Sequence, residues 1–110
     1  MRQKLGQHFL INKKVVKTIV GELKLQPKNT IIEIGPGNGT LTIPLVKDCG
    51  IHSCNIIAIE KDQALYTQLI ERSLPHSQFI LGDAIKELPK LVQQIETPYK
   101  IVGNIPYYIT

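Results

Sequence analysis

A chain of 110 residues has room for one domain and one hydrophobic core, and buries roughly 60–70 % of the surface that its unfolded form exposes. Hydrophobic residues make up 43 %, yet no apolar run approaches the roughly 20 residues that a bilayer requires, so a membrane-spanning helix is excluded and a soluble domain is expected. The formal charge of +4 is unevenly spread: Arg2, Lys4, Lys13, Lys14 and Lys17 precede the first acid, Glu22, whereas the eight basic residues that follow face nine acids.

That local excess predicts a phosphate-binding face, with a solvated, lysine-rich helix as the plainer alternative. The basic start MRQKLGQHFL is followed by neither an apolar h-region nor a small-residue cleavage site, so no signal peptide and a cytoplasmic location are expected. Asn12 is placed to cap a helix running to about Leu25, with Val15, Val16, Ile19, Val20 and Leu23 at helical spacing, and Pro27 ends it. Residues 1–28 therefore read as a basic helical arm.

From residue 29 onward, short β-branched runs alternate with helical stretches. TIIEI is followed by a helix near 40–49, NIIAIE by a helix near 62–73, QFIL by a short helix opening at Pro89, and YKIVGN closes the series. Strands apolar on both faces and joined by helices predict an α/β domain, with about four parallel strands covered on both faces and right-handed crossovers. In such sheets ligands bind beyond the carboxyl ends of the strands. Chemistry-bearing residues stand at those ends: Gly35, Gly37 and Gly39 after the first strand, Glu60 at the end of the second, Asp83 after the third and Asn104 after the fourth.

EIGPGNG, residues 33–39, is a glycine turn where missing side chains let backbone approach a ligand. A dinucleotide fingerprint counted from Gly35 would want a glycine where Thr40 stands, and Pro36 removes one backbone donor from the loop. A nucleotide-like ligand is implied, with a purely packing turn as the alternative. Glu60 follows Gly39 by 21 residues and can accept from both hydroxyls of a ribose, whether of an NAD-type ligand or of S-adenosylmethionine. Asp83 can accept from an adenine amine while the Ala84 N–H meets a ring nitrogen, and it can equally serve as a helix N-cap. Cys49, His52 and Cys54 lack the spacing of a zinc site, so free thiols and no metal are expected. His76 reads as solvated.

NIPYYIT, residues 104–110, is the most discriminating stretch. The Asn104 side-chain oxygen and the Ile105 carbonyl can both accept from an exocyclic amine, Pro106 stiffens the turn, and Tyr107 can stack on a flat heteroaromatic ring. Such stacking contributes roughly 1–3 kcal/mol per base.

Taken together, LGQHFL, EIGPGNG, IEKD, GDA and GNIPYYIT, in this order and spacing, resemble the ribosomal RNA adenine N6,N6-dimethyltransferases along nearly the whole chain. The resemblance implies a Rossmann-like S-adenosylmethionine-dependent methyltransferase fold for residues 29–110, in the strand order 3-2-1-4. It implies dimethylation of neighbouring adenosines in a small-subunit rRNA hairpin, with no metal and no covalent intermediate. By the same resemblance, His8 and Leu10 close over the methionine end of the cofactor, and Gly35 lines its loop. Glu60 holds the ribose, Asp83 takes the adenine amine, and Asn104 contacts both cofactor region and target base. The family often has Asn where this chain has His8. Its members continue past NIPYYIT into further strands, a second aromatic wall and a helical RNA-binding domain, so the chain is expected to be the amino-terminal, cofactor-binding part of the enzyme. Its partner is then small-subunit rRNA or a pre-ribosomal subunit, and the fourth strand is an apolar edge that invites self-association. Two other functions fit the residues less well: a noncatalytic RNA-binding module, and a methyltransferase for another planar amine or amide.

Overall fold

The computed structural model describes residues 13–103. Four helices and four strands alternate along them: α1 (Lys13–Glu22), β1 (Thr30–Ile34), α2 (Thr42–His52), β2 (Asn55–Glu60), α3 (Gln63–Glu71), β3 (Ser77–Leu81), α4 (Ala84–Gln94) and β4 (Tyr99–Gly103). The strands form one sheet in the order β3-β2-β1-β4, and every pair is parallel. The strand number, direction and order are those expected from the sequence.

Alternation along β1 divides the core. Ile31, fully buried, packs with Val16 and Val20 of α1, with Leu45, Val46 and Cys49 of α2, and with Ile56 of β2. Ile32 faces the other way, against Ile59 of β2 and Leu88, Leu91 and Val92 of α4. Each such buried aliphatic side chain contributes roughly 1.5–3 kcal/mol. The two faces follow from topology, because the chain steps outward from β1 to β3 and then returns across the sheet to β4. A right-handed return places α4 opposite α2. The reversal in strand order lies between β1 and β4, so the carboxyl end of β1 opens at the switch point.

Two helix boundaries differ from expectation. α1 stops at Glu22 because Lys24 turns left-handed (φ 49°), which swings Leu25 into the core instead of extending the helix toward Pro27. α4 opens at Ala84 rather than at Pro89, because the Asp83 carboxylate accepts from the Ile85 N–H at 2.9 Å and caps the helix five residues earlier. Pro89 is thus inside the helix, where it leaves the Ile85 carbonyl without its usual partner. Ile85 is 83 % exposed, so water can reach that carbonyl and soften a cost that is about 3 kcal/mol in a dry helix interior.

Cys49 and Cys54 are both free and buried, and burial pushes the Cys49 thiol well above its ordinary value. They pack as small apolar side chains beside Ile31 and Ile56. His52 and His76 are exposed, as expected for solvated side chains.

Candidate functional site at the strand ends

β1 ends at Ile34, and the chain then takes three left-handed glycines: Gly35 (φ 69°), Gly37 (φ 59°) and Gly39 (φ 91°). Non-glycine residues pay roughly 1–2 kcal/mol for that backbone. The three are not equivalent. A Cβ built on Gly35 meets nothing within 4 Å among the described residues, so these leave open space there. One built on Gly39 would stand 3.4 Å from Leu69 Cδ2 and 3.5 Å from Ile43 Cδ1. Gly39 also closes the turn, donating to the Pro36 carbonyl at 2.9 Å and accepting from the Ile43 N–H at 3.0 Å. Gly35 is the open side of the loop and Gly39 is its packed side.

Glu60 ends β2 directly beside this loop. Its carboxylate is 5 % exposed, with Oε1 accepting from the Gly37 N–H at 2.9 Å and Oε2 accepting from the Asp62 N–H at 2.9 Å. Its carbonyl accepts from the Gly82 N–H, also at 2.9 Å, which draws the end of β3 toward the same place. One residue therefore ties three strand ends together. Each carboxylate oxygen still has a second lone-pair direction, so Glu60 can hold the loop and receive a ligand hydroxyl at once.

Asp83 is exposed, and one of its oxygens, Oδ1, serves as the cap of α4 while the other has no hydrogen-bond partner among the described residues. Capping and ligand binding are thus compatible. An added Cβ at Gly82 would come within 2.9 Å of Glu87 Cγ, so that side chain would have to shift.

Glu33 was given no role by the sequence reading, although it interrupts an otherwise apolar strand. The chain buries it completely. The Thr42 hydroxyl at the start of α2 donates to Oε1 at 2.6 Å, while Oε2 is buried with no hydrogen-bond partner among the described residues. Burial raises this carboxyl to about 7, against the lowering effect of the Thr42 bond and with a further push from Glu60. An acid at the fourth position of TIIEI shares its face with Ile31, and that was the available signal.

A cavity of about 790 Å³ among the described residues does not coincide with these strand ends. It lies on the α1 side of the loop, lined by Lys13, Val16 and Lys17, by Asn38, Gly39 and Thr40, and by Arg72. It joins the basic face of α1 to the glycine loop without including Glu60 or Asp83. Lys13, Lys14 and Lys17 are all exposed on α1. Arg2, Lys4, His8 and Leu10, and likewise Asn104, Ile105, Pro106 and Tyr107, lie outside the described residues.

A parallel sheet in the order 3-2-1-4, with a left-handed glycine loop after its first strand and a carboxylate closing its second, defines a Rossmann-like fold, one that methyltransferases share. Solved structures agree. Coclaurine N-methyltransferase, bound to N-methylheliamine and SAH, superposes with a TM-score of 0.58 at 17 % identity over 66 % of this chain and 22 % of that one. A SAM-dependent methyltransferase from Aquifex aeolicus gives 0.53 at 18 % identity, over 62 % of this chain and 38 % of that one. The sequence is more specific than the fold: the family model for ribosomal RNA adenine dimethylase matches residues 1–110, and the chain belongs to that family. Ribosomal RNA small subunit methyltransferase A of Dehalococcoides mccartyi (strain ATCC BAA-2266) is 42 % identical over 99 % of this chain. The protein of the same name from Burkholderia sp is 38 % identical, again over 99 %. The chain spans 37 % and 39 % of the lengths of these two relatives.

Proposed function

We propose that residues 1–110 are the amino-terminal, cofactor-binding portion of an S-adenosylmethionine-dependent enzyme that dimethylates N6 of adjacent adenosines in small-subunit rRNA. Residues 1–28 form its basic arm and residues 29–110 its Rossmann-like part. The observation that carries this reading is the grip of Glu60 on the Gly37 N–H at the sheet's switch point, in a chain that the dimethylase family matches throughout. The residues fit the cofactor: open space at Gly35 admits a ligand against the loop, and Glu60 has acceptor capacity left for ribose hydroxyls. Asp83 offers its second oxygen to an adenine amine, and the Ala84 N–H is placed for a ring nitrogen.

S-adenosylmethionine, when bound, supplies an electrophilic methyl group on a sulfonium centre. The residues of this chain do the rest. Glu60 anchors the ribose, and His8 and Leu10 cover the methionine end. The Asn104 side-chain oxygen and the Ile105 carbonyl accept the two N–H bonds of the target amine, which favours a pyramidal nitrogen with a directed lone pair. Pro106 fixes that turn, and Tyr107 holds a base that has left its stack. Lys13, Lys14 and Lys17 meet rRNA phosphates, in the cytoplasm where ribosomal subunits mature. Tyr99 and Ile101 leave β4 an apolar edge, 40 % and 46 % exposed, at which a further strand or a second copy of the 110-residue chain can pair.

Single-turnover methylation of small-subunit RNA by the full-length enzyme tests the assignment. Asn104→Ala and Tyr107→Ala should each slow transfer at least a hundredfold, far more than they weaken cofactor binding, on the order expected for lost orientation at the reacting atoms. Parental turnover by both variants would reject it. Replacing Lys13, Lys14 and Lys17 by Gln should weaken RNA binding and flatten its salt dependence by about 0.9 per lost phosphate contact.

A further inference from the structure

Glu33 is a costly residue for the fold to keep. A fully buried carboxyl with one hydrogen bond and one orphaned oxygen is an exception in native proteins. The groups that face it are few. From α2 there is the Thr42 hydroxyl, and from β2 the Glu60 carboxylate. On β4 its neighbour in register is Val102, and the one cation of that strand, Lys100, has its ammonium on the carbonyls of Leu23 and Lys24. Among the described residues no cation acts on Glu33. It therefore stands two residues before Gly35, close enough to feel the charge of Glu60 through the protein, without a positive partner among the described residues.

We propose that Glu33 is a proton-linked counter-charge of the cofactor pocket: neutral when no cation lies against the glycine loop, and ionised when a positively charged ligand is placed there. This rests on the cofactor reading above. A cation near the loop acts on Glu33 with the opposite sign to Glu60 and favours its charged form. Binding then releases a proton, and affinity for a sulfonium cofactor rises with pH until Glu33 is ionised in the free protein as well, close to 7. The thioether product carries one positive charge fewer and drives less release. The pocket thereby favours the charged cofactor over its spent form most strongly at and above about pH 7.

The test is calorimetry of the full-length protein with S-adenosylmethionine and with S-adenosylhomocysteine, from pH 5.5 to 8, in buffers of different ionisation enthalpy so that protons are counted. The parental protein should release a fraction of a proton near pH 6.5 with S-adenosylmethionine and less with S-adenosylhomocysteine. A one-unit fall in the Glu33 pKa on binding corresponds to a tenfold gain in affinity across the range. Glu33→Gln should release none from this position and show the flatter profile. Thr42→Val, which removes the hydroxyl that favours the carboxylate, should keep the release but move its midpoint to higher pH. Tight binding that is flat in pH, or release undiminished in Glu33→Gln, would overturn the proposal while leaving the cofactor reading intact. Failure of either ligand to bind at any pH would overturn both.

Discussion

Replacing Glu60 by Ala removes an acceptor that serves loop and ligand together, and the structure allows the two effects to be separated. The buried carboxylate holds the Gly37 and Asp62 N–H groups at 2.9 Å each. Hydrogen bonds to a charged acceptor contribute roughly 1.5–3 kcal/mol apiece. Asp62 is exposed, so its N–H regains water and its share is largely recovered, whereas Gly37 is only half-exposed and recovers less. The loss of Glu60 also relieves its repulsion of Glu33. The net cost in unfolding free energy should then be about 1–2 kcal/mol, a stability loss that the fold survives. Ligand affinity has no such compensation. Loss of even one ribose bond at roughly 1.5–3 kcal/mol lowers S-adenosylmethionine affinity by more than tenfold. Calorimetric titration of parent and variant, with urea unfolding of each as the control for stability, reads both quantities. Affinity unchanged within twofold in a folded variant would refute the placing of Glu60 at the ribose.

Stability should depend on Glu33 with a definite sign. A carboxyl raised from 4.5 to about 7 is bound to its proton more firmly in the fold than in the unfolded chain. Its contribution is full below about 4.5 and is lost as pH rises through about 7, a fall of roughly 3 kcal/mol that urea unfolding from pH 5 to pH 8 should show and Glu33→Gln should abolish. At the loop, Gly35→Ala places its methyl in open space, so it should cost about 1–2 kcal/mol of backbone strain and obstruct the ligand, while Gly39→Ala adds crowding against Leu69 and Ile43. Comparing melting temperature with cofactor affinity should therefore rank Gly39→Ala worse for stability and Gly35→Ala worse for binding, and the reverse order would contradict the assigned sides. Asp83→Asn keeps a good N-cap but loses the acceptor charge, so affinity should fall with little change in stability; Asp83→Ala should lose both, the cap accounting for about 0.5–2 kcal/mol.

Most of the sheet was legible because its signals are local. TIIEI and NIIAIE are too apolar for exposed strands and too short for helices, and the glycines of the intervening loop fix where the first strand stops. The order of the strands came from likeness to a family, since no local pattern says that β4 returns to the side of β1. The α4 boundary was misplaced because Pro89 was read as the helix start although Asp83, equally a cap and a ligand contact in sequence, caps the helix five residues earlier; one carboxylate can be both. At the site, the position of Glu60 followed from strand-end logic, but its grip on Gly37 did not, because that bond joins residues 23 apart in sequence through the packing of two strands. Glu33 was passed over for the opposite reason. Its neighbours in sequence marked the position as core, and a charge there was visible but had no local partner to explain it; Thr42 is brought to it only when α2 folds back over β1. The residues that would touch the target base, Asn104 to Tyr107, rest on their chemistry and on the family alone.

Parallel titration of the protein with S-adenosylmethionine and with NAD is the most direct measurement of the central claim, because the loop and Glu60 by themselves are compatible with either ligand. Saturable binding of S-adenosylmethionine that is lost in Glu60→Ala, with no saturable binding of NAD, is the result expected. NAD binding through the same loop, with S-adenosylmethionine inert, would show that the strand-end site of this chain serves a different chemistry from the one its family membership implies.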